Sequence, residues 1–114
     1  MNKHFYFSPN LLTEIDEHPI TGMVSRTLLN NEDTKIILFG FAPGHELAAH
    51  SAPVPATIQI LTGEATFTVE GEAMEVSAGC LIHMRPQVVH SVAARTPLKM
   101  LLSLHKSARH SSVI

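Results

Sequence analysis

The chain contains no tryptophan and one tyrosine, and aromatic residues make up only 5% of it. A surface that holds single-stranded nucleic acid by stacking bases on successive rings needs more than this. Charge of one sign is lacking too. Eight Lys and Arg stand against ten Asp and Glu, for a formal net charge of −2. The basic residues are scattered rather than gathered into a stripe, so the footprint of a nucleic-acid binder is missing. The single cysteine, Cys80, rules out an internal disulfide and with it a disulfide-built secreted scaffold. Long apolar runs are also absent. The stretch from Met1 to Leu12 is broken by Ser8, Pro9 and Asn10, a pattern of neither a signal peptide nor a membrane span. These absences lead us to expect a cytoplasmic protein with no nucleic-acid and no membrane partner.

What is present is a well-filled globular domain. With 114 residues, 45% of them apolar and 16% charged, the chain suits one core and is not disordered in its body. Eight histidines is a high count for this length and justifies a search for a site.

From Thr21 onward, short runs rich in Val, Ile, Thr and Phe alternate with Gly, Pro or acidic turns. They predict strands at 23–29, 36–41, 47–50, 57–61, 65–69, 73–76, 81–84, 88–93 and 100–104. Asn30-Asn31-Glu32-Asp33, Pro43-Gly44, Thr62-Gly63-Glu64 and Glu70-Gly71-Glu72 supply the turns between them. Short strands without long helical periods between them indicate a sandwich or barrel, an all-β fold. Before them, Phe5 to Glu17 reads as an arm or short helix, with Pro9 at an early helical position and Pro19 closing it. The expected organisation is an arm over 1–20, a barrel over 21–106 and a flexible tail over 107–114.

Two stretches carry a resemblance. Gly44, His50 and Gly63, within Ala42 to Glu64, fall at matching positions of the first cupin motif. Gly79, Pro86 and His90, within Gly79 to His90, resemble the second. Fifteen residues, Glu64 to Ala78, separate Gly63 of the first motif from Gly79 of the second, as in small microbial cupins. The resemblance implies a double-stranded β-helix, the cupin jelly-roll barrel, with a pocket and a homodimer. In metal-binding cupins the first motif supplies two His and one Glu, and the second supplies one His. Here Ala52 and Ala56 stand at two of those positions, Ala94 at the terminal Asn position, and only His50 and His90 carry over.

Transition metals in proteins usually take three or four side-chain ligands. Parity does not repair the deficit. Glu46 shares a face with His50 on a regular strand, but roughly 13 Å away at about 3.3 Å per residue. His45 and His50 should face opposite sides, and Gln59 has the wrong parity if position 56 faces inward. His83 becomes a third ligand only if a bulge turns it into the pocket. The alternative for His50 and His90 is a hydrogen-bonded wall residue each. His4, His18, His105 and His110 read as exposed. Cys80 reads as a small buried apolar residue. Arg85 would suit a carboxylate but fits a solvent-facing turn better.

The expected pocket lining is therefore His50, Ala52, Ala56, His83, Met84 and His90. Any metal (Fe, Mn, Ni or Zn) would rest on His50 and His90. The two alanines leave that wall roomier and less polar, so that Phe39, Phe41 or Met84 fills it or an organic ligand does. The first functional expectation is a small-molecule-binding cupin with a weak or incomplete metal site. The alternatives are a metal-dependent enzyme of dioxygenase or isomerase type, and a stand-alone sensing and dimerisation domain resembling that of arabinose-type regulators. Phe5, Tyr6 and Phe7 are the expected contact of the arm with a second copy.

Overall fold

The computed structural model describes residues 4–15 and 19–107. Nine strands follow the predicted order: β1 Met23–Asn30, β2 Thr34–Phe41, β3 Glu46–His50, β4 Ala56–Thr62, β5 Glu64–Val69, β6 Glu72–Ser77, β7 Leu81–Met84, β8 His90–Ala94 and β9 Leu98–His105. Their ends differ from the sequence reading by a residue or two. One strand starts late: β8, expected from Val88, begins two residues on. Gln87 takes a positive φ of 70° in the preceding turn, and the ladder begins only at His90.

The strands form two antiparallel sheets, one ordered β1-β2-β9-β4-β7 and the other β3-β8-β5-β6. The chain passes repeatedly from one sheet to the other, so their inner faces share one core. Phe41, Ile58, Ile60, Phe67, Leu98 and Met100 are among its most buried members. Alternation along β9 is clean: Leu98 and Met100 point inward, while Lys99 and Leu101 point to the outer face. Between β4 and β5, Gly63 has φ +92°, and a Cβ there would lie 2.1 Å from the carbonyl oxygen of Pro97. Only glycine fits this turn.

The N-terminal segment departs from expectation in form and in place. Its helix is a single 3-10 turn, Leu11–Thr13, capped by Asn10, whose side chain accepts from the Leu12 N–H at 3.0 Å. Pro9 lies before the cap rather than inside the turn. The arm also has a home on its own chain. Ile15 packs with Leu38 and Leu101 on the outer face of the five-stranded sheet, and Leu11, Leu28, Ile36 and Leu61 surround them. Lys99, only 6% exposed, holds the arm from beneath by donating from Nζ to the carbonyls of Leu12 (2.5 Å) and Ile15 (3.1 Å). Phe5, Tyr6 and Phe7 remain exposed. The expected tail falls largely outside the described residues, as do His18 and His110.

Candidate functional site

His50 and His90 meet. They are register partners on β3 and β8, with ring centroids 4.4 Å apart and planes inclined by 53°. A bulge makes this possible. Leu47 pairs with Val92 and His50 with His90, so Ala48 and Ala49 of β3 lie opposite the single Ser91 of β8. The extra residue places Leu47 and His50 on one face despite their odd separation. It also overturns two parity expectations. Glu46, paired with Ala93, lies on the other face from His50, whereas the His45 ring packs 5.7 Å from the core ring of Phe41.

Each imidazole is oriented by the backbone carbonyl two residues before it. His50 Nδ1 lies 2.9 Å from the carbonyl of Ala48, and His90 Nδ1 lies 3.0 Å from the carbonyl of Val88. A carbonyl only accepts, so in both rings Nδ1 carries the proton and donates it. The neutral ring then keeps an unprotonated Nε2, aimed away from its backbone. His90 is 7% exposed and stacks on Phe67, with centroids 5.8 Å apart and planes within 6°. Burial is the main influence on its acidity and holds the imidazolium pKa below the ordinary 6.5; the hydrogen bond to Val88 opposes this, and the neighbouring His50 adds to the lowering. His50 is the solvent-facing member of the pair.

The other expected lining residues divide. Ala56 and Met84 are register partners on β4 and β7, both buried in the cluster that contains Phe67 and Phe41. The space opposite the missing Glu is thus occupied by hydrocarbon. Ala52 is half-buried in the loop after β3, where its carbonyl accepts the Gln87 N–H at 2.7 Å. That bond ties the β3 loop to the turn leading into β8. Arg85 is exposed in this turn.

His83 does not join the site. β7 is regular, so His83 points to the opposite face from Ile82 and Met84, where its Nδ1 lies 2.8 Å from the Thr57 hydroxyl. The same hydroxyl lies 2.8 Å from Nε2 of His105. His105 is therefore half-buried and engaged rather than idle, and its role was hidden because the order of β9, β4 and β7 cannot be read from the chain. Among the described residues, no three or more His, Cys, Asp or Glu gather where they could hold an ion. The interior donor set is two imidazoles against apolar walls, which falls short of the cupin metal centre.

Two antiparallel sheets with these crossing connections make a double-stranded β-helix, a jelly-roll barrel. A family model, the cupin domain, matches residues 37–104, and the chain belongs to this family. Among solved structures, a conserved protein of unknown function from Streptococcus pyogenes is 31% identical over 93% of this chain and 92% of its own, with a TM-score of 0.79. A cupin superfamily protein from Desulfitobacterium hafniense is 22% identical over 86% of this chain and 90% of its own, at a TM-score of 0.78. A salicylate 1,2-dioxygenase variant from Pseudoaminobacter salicylatoxidans, solved with gentisate, shares the fold at a TM-score of 0.70. It is 18% identical over 83% of this chain and 29% of that one. No curated protein matches the chain. Among the described residues no helix is long and apolar enough to cross a membrane.

Proposed function

We propose that the protein is a small-molecule-binding cupin whose ligand docks against the His50–His90 pair. The observation that carries this reading is the shared tautomer of the pair. Both Nδ1 atoms are committed to backbone carbonyls, so in the neutral rings both Nε2 atoms are acceptors. An acceptor pair beside the Phe67 ring favours a small, largely apolar molecule bearing hydrogen-bond donors, such as a phenol, an alcohol or an amide. An anion would meet lone pairs rather than protons and is disfavoured. A divalent ion such as Fe, Mn, Ni or Zn would find two imidazoles and otherwise water, so we assign it at most weak binding here. This ranks the dioxygenase-type reading second, although that chemistry occurs on the same fold in the salicylate enzyme.

Catechol and o-xylene provide the test, since they match closely in shape but only the first donates. Catechol should bind the wild type at least tenfold more tightly in calorimetry or ligand-observed NMR, and His90→Leu should abolish the difference. Equal binding of the two, or tighter binding of benzoate, would refute the assignment.

Self-association belongs to the same proposal. Phe5 and Phe7, at 74% and 73% exposure, are large apolar groups that the described residues leave uncovered, and a second copy would cover them. Deleting residues 1–8 spares the Asn10 cap. It should shift sedimentation from dimer toward monomer, and an unchanged profile would count against the arm as contact.

A further inference from the structure

A second histidine pair lies on the outer face of the five-stranded sheet, apart from the interior pair. His83 on β7 and His105 on β9 flank β4, whose Thr57 stands between them. Nδ1 of His83 and Nε2 of His105 each lie 2.8 Å from the Thr57 hydroxyl oxygen, and the ring centroids are 5.8 Å apart at 45°. We propose that His83, His105 and the Thr57 hydroxyl form a surface site for a late first-row divalent ion, Cu2+ above Zn2+.

A hydroxyl has one hydrogen, so it can donate to one imidazole only, and the other ring must turn an N–H toward it. At least one ring is therefore held in a tautomer chosen by its neighbour, with its nitrogen aimed at a shared point. An ion entering between the two rings beside the Thr57 oxygen bonds to both nitrogens, at about 2.0–2.1 Å for imidazole on zinc, and the displaced ring proton leaves to solvent. His83 is exposed, so its ring can swing to close the distance. His105 is half-buried, so its ring stays placed.

The setting differs from the interior in what completes the coordination. Around His90 the walls are hydrocarbon, whereas the outer pair brings an oxygen donor of its own and opens to water for the remaining positions. The cation at the adjacent strand end is engaged elsewhere: Lys106 turns its Nζ to Asn30 Oδ1 at 2.8 Å. Imidazole donors select copper and zinc over harder ions, and Cu2+ stands highest in the divalent series.

The experiment uses full-length protein with no affinity tag, titrated with Cu2+ against a competing chromophoric chelator. The His50→Ala/His90→Ala double variant should keep one equivalent with affinity within about threefold of wild type. His83→Ala and His105→Ala should each weaken that equivalent at least tenfold. A readout without substitutions guards against misfolding: substoichiometric Cu2+ should broaden the His83 and His105 imidazole resonances of the wild type before those of His50 and His90. Broadening of the interior pair first, or full retention of the equivalent in His83→Ala/His105→Ala, would overturn the assignment. Failure of catechol binding bears only on the interior reading and leaves this one standing.

Discussion

The two histidine pairs of this barrel are built from opposite instructions. In the interior, His50 and His90 face each other across adjacent strands, and each is aimed by the backbone carbonyl two residues before it in the chain. On the outside, His83 and His105 are separated by a whole strand and take their orientation from a hydroxyl that belongs to neither. The interior pair is fixed by local backbone and packing on Phe67, the outer pair by a shared side chain in contact with water. Orientation written into backbone survives substitution of neighbours, whereas orientation borrowed from Thr57 is lost with Thr57.

The largest effect should come from removing the ring that supports the interior pair. Phe67 is fully buried, so Phe67→Ala should cost about 3–5 kcal/mol of stability. Chemical denaturation would measure this. A cost below about 1 kcal/mol would show that His90 does not depend on a packed wall.

A pH series comes next. The folded state resists protonating His90, while the unfolded chain takes up that proton at the ordinary pKa near 6.5. The unfolded state therefore binds more protons as the pH falls. His90's contribution to stability is complete above pH 6.5, declines between 6.5 and its lowered folded pKa, and levels off below that. His90→Gln should flatten this part of the profile. An equal slope in the variant would place the titration elsewhere.

The smallest effect should be Thr57→Val, which keeps the shape and removes the shared hydroxyl. We expect a loss of about 1 kcal/mol, because the bonds it makes are partly exposed. The ring 15N shifts of His83 and His105, followed by NMR, should change together as their shared partner is lost, while those of His50 and His90 stay in place. Movement of the interior pair would mean that the two sites are coupled through the barrel wall.

Much of this architecture was legible in the residues. The strands announced themselves because glycine and acidic turns such as Glu70-Gly71-Glu72 punctuate runs of alternating polarity, and Gly44, Gly63 and Gly79 with His50 and His90 pointed to the cupin barrel. What escaped depended on pairing. The bulge between Leu47 and His50 sits on Ala48 and Ala49, which carry no turn signal, and parity fails across it. The burial of Lys99 follows from the arm folding back over the outer face, where backbone carbonyls replace water around the ammonium. The Thr57 cluster required the knowledge that β4 lies between β7 and β9, and short β runs do not encode their neighbours.

The acceptor character of the interior pair is most directly read from the imidazole nitrogens themselves. Long-range 1H–15N correlation spectra of 15N-labelled protein at pH 7.5 should show His50 and His90 each with a protonated Nδ1 and a bare Nε2. A proton on Nε2 of either ring would contradict the account, because that nitrogen could then donate to an anion and the stated ligand preference would no longer hold.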